Sequence, residues 1–337
     1  MTSQHIKILG ISTTKNSQKY YFLLAAEKFG LQVRELEKLP RMQDGVLKER
    51  TVMQVSNGRK FILILGATTS QTSYVGMKIA VNKVATNNIF RKSGLPTTEQ
   101  VVIHSEEDLA LALSRFGKII IKPADSRAGK GIFSNISTLK KAISVYKTLK
   151  KKYSIILAEK ILEGKEYRIL VINRKVFAVA EYVPPSITGD GIHTILSLIE
   201  KENEKKVALQ KDYLIKINAA LRLNLKSLGL HKNSILPLGK SIILHKAAPV
   251  SNGGYTIDVT SKIHPENIRV AEDAAMLINL DIAGIDVMLP DIGRPFSEGG
   301  GAIIEINGGP DFDVHFSVDE GHSKNGAEAV FQDYFDL

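Results

Sequence analysis

"AGIDVML" (residues 283–289) and "AIIEINGGP" (residues 302–310) are apolar runs that each carry one carboxylate, Asp286 and Glu305, and "PDIGRPFSEGGG" joins them. Strands this apolar are usually buried, and a buried charge is costly unless something compensates it. Side chains alternate across a strand, which puts Glu305 and Asn307 on one face and Ile304 and Ile306 on the other. If the two runs pair as a hairpin, Asp286 joins the face of Glu305 and Asn307. Two carboxylates and an amide oxygen then converge, and these are hard donors of the kind that hold Mg²⁺ beside water and phosphate. The same pattern fits a carboxylate pair satisfied by Lys or Arg on a solvated sheet face. The strands alone leave both readings open.

Upstream, "NIRVAEDAAMLINLD" is an amphipathic helix leading into the first run. In "IIIKPADSRAGKGIF", Lys122 ends a strand and a loop with Ser126, Gly129 and Gly131 follows. Such a loop can turn backbone N–H groups toward an anion while the lysine supplies a point charge; an ordinary polar hairpin turn has the same composition. Neither the P-loop nor the dinucleotide-binding glycine pattern occurs. "SIILAEKILEGKEYRILVINRKVFAVAEYV" reads as strands with short turns, and Glu166 lies seven positions after Glu159. That pair reads as a hinge meeting a purine edge and ribose hydroxyls, or as two solvated glutamates.

Toward the N-terminus, "HIKILGIS" reads as a first strand, "NSQKYYFLLAAEKFG" as a helix stopped by Gly30, and "RKFILILGATTS" as a second strand. This is the alternating pattern of a small α/β unit over residues 1–75. "KIAVNKVATNNIFRKSG" reads as one helical stretch ending at Gly94, and "TLKKAISVYKTLKKKY" as an amphipathic helix. Between 184 and about 260 the patterning weakens, apart from a helical reading of "EKKVALQKDYLIKINAALRL". No repeat or long linker interrupts the chain, so its subdomains are expected to pack closely.

A length of 337 residues suffices for two or three subdomains, and 44% hydrophobic content is that of a globular protein. The absence of cysteine excludes disulfides, thiolate metal sites and a thiol nucleophile, and suits a cytoplasmic location. No apolar run of about 18 residues is present, so no membrane partner is expected. The first residues lack the pattern of a secretory signal. A net charge of +10 points to an anionic partner or to a solvated lysine-rich surface. With no Trp and only 12 Phe the stacking platform of a nucleic-acid binder would be sparse, so nucleic acid is a minor alternative and not the expected partner.

Taken in order, these segments resemble the ATP-grasp superfamily, and within it the ATP-grasp region of the cyanophycin synthetases. "VNKVATNNIFRKSGLPT" is similar to the family's first lysine segment, "IIIKPADSRAGKG" to its second lysine and Gly loop, and "AEKILEGKEYRILVINRKVFAVA" to its adenine and ribose segment. "ITGDGIHTI" and the stretch from "SNGGYTIDVT" to "EINGGP" also match. The likeness covers roughly residues 50–325 and does not extend to the Mur-ligase-like half of those proteins.

The resemblance implies an α/β (α+β) architecture. An N-terminal α/β domain (1–78) would precede a small ATP-grasp subdomain (79–162) and a large one (163–337). It implies ATP and Mg²⁺ as cofactors, two ions with Mn²⁺ able to substitute. Lys83 and Lys122 would contact phosphates under the 125–131 loop. Glu159, Lys160 and Ile161 would bind adenine, Glu166 ribose, and Asp286, Glu305 and Asn307 the metal. Arg168, His193 and Arg294 would act in catalysis, and Lys246, Ser251 and Asp311 on substrate. The activity implied is carboxylate–amine ligation through an acyl phosphate, with 184–212 as a lid and amino acids or peptides as substrates. A protein acceptor and a homo-oligomer are compatible with the same chemistry, as is a nucleotide-binding protein without catalysis. Three positions depart from the pattern: Asn82 stands for Asp, Asp311 for Gly, and "HKAAPV" lacks paired arginines.

Overall fold

A computed structural model describes residues 5–43, 46–124, 131–208, 213–245 and 252–337. The first segment is a hairpin rather than one strand: His5–Ile8 (β1) pairs with Ile11–Thr14 (β2). Leu9 and Gly10 turn the chain between them at φ 51° and 77°, a region open to glycine without steric cost. Gln18–Lys28 (α1) is capped by the Ser17 side chain, which accepts from the Tyr20 N–H. Gln32–Gln43 (β3), Val46–Ser56 (β4), Phe61–Leu65 (β5) and Thr68–Thr69 (β6) then form an antiparallel sheet in that order. The alternating α/β reading of this region is therefore corrected to an antiparallel meander with one packed helix. "QVRELEKLPRMQ" is too charged to show an apolar run, so β3 left no strand signal.

Two helices, Tyr74–Ala80 (α2) and Lys83–Lys92 (α3), replace the single helical stretch. The break falls at Asn82, whose extended backbone and side chain, accepting from the Ala85 N–H, start α3 afresh. Gln100–Ile103 (β7), Glu106–Phe116 (α4), Ile119–Pro123 (β8), Phe133–Ile136 (β9), Leu139–Lys150 (α5) and Ile156–Lys160 (β10) follow. Their strands form an antiparallel sheet in the order β7-β10-β8-β9. Ile119, Ile121, Ile156 and Ala158 pack with α4 and α5. By alternation Lys122, Leu157 and Glu159 take the opposite face.

The remaining elements are Lys165–Ile172 (β11), Lys175–Val183 (β12), Ser186–Thr188 (β13), Ile195–Ala208 (α6), Ala219–Ser227 (α7), Ser241–Ile243 (β14), Tyr255–Asp258 (β15), Pro265–Leu277 (α8), Ile282–Leu289 (β16), Ala302–Asn307 (β17), Asp313–Phe316 (α9) and Gly326–Phe335 (α10). Five of the strands form an antiparallel sheet, β15-β12-β11-β16-β17. One face buries Tyr167, Ile169, Val171, Ile285 and Val287 with α8. On the other face, Leu170, Ile172, Ala178 and Ile282 share a core with α1, β4, β5 and α10. Beyond that apolar half, the same face carries Glu166, Arg168 and Asp286.

A smaller core of Ile187, Ile195, Ile199, Leu221, Leu225 and Leu236 joins the β13–β14 pair to α6 and α7. The helix read through 204–223 is interrupted. The Asn203 amide binds both the N–H and the C=O of Ile215 and holds that residue out of helical pairing. Along the outer edge of β17, the Ile303 N–H donates to the Pro96 C=O and the Thr98 N–H donates to the Ile303 C=O. The two larger sheets are thereby joined at the chain segment leading into β7. Among the described residues no helix is long and apolar enough to cross a membrane.

Candidate active site

β16 and β17 pair with Asp286 directly opposite Glu305. A bulge shifts the register beside this pair, so Ile303 rather than Ile304 joins Ile306 in the core. Arg168 sits across from Asp286 on β11 and grips it with two hydrogen bonds, Nε to Oδ1 at 2.5 Å and Nη2 to Oδ2 at 3.0 Å. Such two-point pairing fixes orientation as well as charge. Asn307 Nδ2 donates to Asp286 Oδ2 at 3.1 Å, and Lys83 Nζ reaches Glu305 Oε1 at 2.9 Å. Burial raises the Asp286 carboxyl above its ordinary range, an effect that Arg168 opposes.

Glu166 shares the face of Arg168, and burial, with Asp286 adding to it, pushes its carboxyl up to about 7. Tyr182, opposite Glu166 on β12, has its ring centroid 5.9 Å from the Arg168 guanidinium. Asp286 and Glu305 are thus matched by Arg168 and Lys83, and Glu166 adds negative charge to the patch as it ionises. Among the described residues no group of three or more His, Cys, Asp and Glu side chains forms a metal site on its own. Two carboxylates and an amide fit Mg²⁺ nonetheless, because that ion normally completes its shell with water and phosphate oxygens.

Lys122 and Glu159, which the resemblance sends to opposite ends of the nucleotide, form an ion pair at 2.7 Å with both side chains nearly inaccessible (7% and 5%). A pocket between the sheets is lined by Lys83, Thr86, Asn87, Gln100, Glu159 and Glu305. Lys83 opens α3 and therefore enters this pocket from the helix start that Asn82 caps. Asn and Asp cap a helix equally well, so the departure at Asn82 leaves the helix start intact. Gly131, at φ 76°, closes on Pro123: a Cβ there would lie 3.1 Å from the proline ring.

Two other candidates, His193 and Arg294, make their contacts elsewhere. His193 Nδ1 is 2.5 Å from Asp190 Oδ2, and Lys201 Nζ is 3.0 Å from Nε2, so the ring's partners belong to the β13–β14 lobe. Backbone N–H donors and His193 hold the Asp190 carboxyl well below its usual range. Arg294 is exposed and engages Glu298 in its own loop. Lys160 pairs with Glu99, and Ile161 is half-buried. Ser126, Gly129, Lys246 and Ser251 lie outside the described residues. Tyr182 and Gln100 were missed by sequence reasoning; strand alternation through the β11–β12 hairpin is the signal that would have found Tyr182.

The crystal structure of a bifunctional glutathione synthetase from Pasteurella multocida matches this architecture with a TM-score of 0.67 and 22% identity, covering 95% of this chain and 44% of that one. Architecture and sequence likeness together give the class: the chain has the fold of the ATP-grasp ligases. No protein-family model matches the sequence. More particularly, it is 34% identical over 309 residues, 89% of its length, to cyanophycin synthetase from Synechocystis sp.. It is also 30% identical over 290 residues, 82% of its length, to the glutathione biosynthesis bifunctional protein GshAB of Clostridium perfringens. The chain spans about a third of these curated relatives, 35% and 37% of their lengths.

Proposed function

We propose that this chain joins a carboxylate to an amine at the expense of ATP, forming an amide through an acyl phosphate. The observation that carries this reading is the convergence of Lys83, Glu159 and Glu305 on one pocket beside the Arg168–Asp286–Asn307 cluster. Lys83 and Lys122 would exchange their carboxylate partners for nucleotide phosphates under the 125–131 loop. Glu159, Lys160 and Ile161 take the adenine in this reading, and Glu166 the ribose. Asp286, Glu305 and Asn307 are the residues that would hold Mg²⁺, two ions in the full assignment, with Mn²⁺ able to replace them. Bound there, the metal would neutralise charge on the β- and γ-phosphates.

The substrate carboxylate attacks the γ-phosphoryl group, giving acyl phosphate and ADP; an amine then displaces phosphate. No protein nucleophile is required, so the chain contributes positioning and fixed charge. Arg168, oriented by Asp286, would meet developing negative charge. His193 and Arg294 are assigned supporting roles from neighbouring segments, and Lys246, Ser251 and Asp311 contacts to substrate. Chain 184–212 would exclude water, which otherwise hydrolyses the acyl phosphate. Likeness to a cyanophycin synthetase and to a glutathione biosynthesis protein supports substrates of the amino-acid or peptide class.

The test is ADP and phosphate release from the purified chain with ATP and Mg²⁺ across pairs of amino acids and short peptides, with mass spectrometry of products. Release that depends on a particular pair, with a product mass equal to their condensation, is the expected result. Tight ATP binding with no pair-dependent release would overturn the ligase reading for this substrate class.

A further inference from the structure

Asp311 carries an inference that rests on the ligase reading and names the chemistry of one substrate. Pro310, just before it, is wedged against the reaction centre. A Cβ at Gly284 would lie 2.6 Å from the Pro310 Cβ and 3.0 Å from Arg168 Nη1, so only a bare backbone at Gly284 admits both. The segment is also pinned from the N-terminal helix. Gln18 Nε2 donates to the Pro310 C=O at 2.5 Å, and the Tyr21 hydroxyl donates to Asp313 Oδ1 at 2.5 Å. Ser317 Oγ donates to that same oxygen, and the Asp313 N–H donates to Asp311 Oδ1 at 3.2 Å.

The Asp311 carboxylate is held in place yet poorly satisfied. Among the described residues it accepts, besides that N–H, only a long hydrogen bond of 3.4 Å from the Tyr213 hydroxyl. Asp286, Glu305 and Glu159 each have a cation within salt-bridge distance. Asp311 has none among the described residues, in a chain of net charge +10. It is open to solvent on one side, while the protein around it and the charge of Asp313 raise its carboxyl above the usual range. Arg168 attracts the carboxylate only from beyond salt-bridge distance, and a carboxylate fixed by its backbone with no cation against it is prepared for a cationic ligand.

We propose that Asp311 receives a cationic nitrogen of the amine-bearing substrate, with the Tyr213 hydroxyl orienting the carboxylate. Two sources supply this chemistry: the reacting amine in its ammonium form, or a positive side chain elsewhere on the same substrate. Asp311 acts by binding, and no bond is made or broken on it.

The test is calorimetric binding of L-lysine, its neutral analogue L-norleucine, and glycine to the full chain and to Asp311→Asn, with and without ADP and Mg²⁺. The expected result is a loss of about tenfold or more in lysine affinity in the variant, the scale of a charge-assisted hydrogen bond. If norleucine and glycine keep their affinities, the cation is the side chain; if all three fall together, it is the reacting amine. Unchanged lysine affinity in a folded Asp311→Asn, or a wild-type protein that binds none of the three, overturns the proposal. Asp311→Glu should restore part of the affinity, separating a charge effect from damage to the loop. Failure of ADP to bind the wild-type chain would instead count against the ligase reading, and the lysine result would still report on Asp311.

Discussion

Lys122 and Glu159 show how much of this site depends on paired charges. Each is buried, and each neutralises the other. Removing one member of such a pair leaves an uncompensated buried charge and costs about 3–5 kcal/mol, whereas an apolar pair of similar volume can be neutral. Lys122→Ala should therefore lower the melting temperature and weaken ATP binding together. Lys122→Met combined with Glu159→Leu should recover the melting temperature and leave ATP binding lost. Recovery of both by the double change would remove the lysine from phosphate binding. Glu166 supplies a second test, because its carboxyl lies near 7 in the folded chain against an ordinary 4.5. A group raised in this way binds more protons in the folded state between those values, so stability falls as pH rises from about 4.5 to 7. Glu166→Gln should abolish that decline, which is worth up to about 3 kcal/mol at 1.36 kcal/mol per pH unit. Parallel urea denaturation across this pH range checks it; identical pH profiles for both proteins would contradict the assignment.

At the scale of elements, the hairpin of the opening runs was legible because two apolar strands each carried a single acid. The structure pairs Asp286 directly with Glu305. The bulge beside that pair was not legible, since nothing in "AIIEIN" distinguishes Ile303 from Ile304. The Lys122–Glu159 pair was hidden for another reason: it is made across β8 and β10, which the sequence separates by 37 positions. β3 went unread because its alternating charges resemble a solvated segment, and the break between α2 and α3 because Asn82 sits inside a helical pattern. The break gives a sharp prediction. Asn82→Ala removes the α3 cap and should cost about 1 kcal/mol, while Asn82→Asp should be neutral. Because α3 presents Lys83 to Glu305, the alanine change should also weaken ATP binding, measured by calorimetry beside the melting temperature. Equal melting temperatures for Asn82→Ala and wild type would show that the cap contributes nothing.

Across the whole molecule, the N-terminal residues do not stand alone. Tyr21, Phe22, Val55 and Ile62 share a core with Leu170, Ile282 and Phe331, so the first sheet and α1 brace the apolar half of the face whose polar half is the site. The sheet of β7–β10 closes its own core and touches the rest near β17, which leaves the pocket at the joint of two separately packed bodies. Substrates enclosed at such a joint are positioned by both sides, and the chain's net charge of +10 suits a phosphate-bearing one. In the proposed function, the acids in the two apolar strands hold a cation that arrives with ATP. The measurement that tests it most directly is ADP release and ATP affinity, with and without Mg²⁺, for wild type and Glu305→Gln. The account predicts Mg²⁺-dependent release in the wild type. In Glu305→Gln it predicts a retained melting transition and a loss of release of at least about a hundredfold, the scale of removing one electrostatic stabiliser. Near-normal, Mg²⁺-dependent release from Glu305→Gln would contradict it.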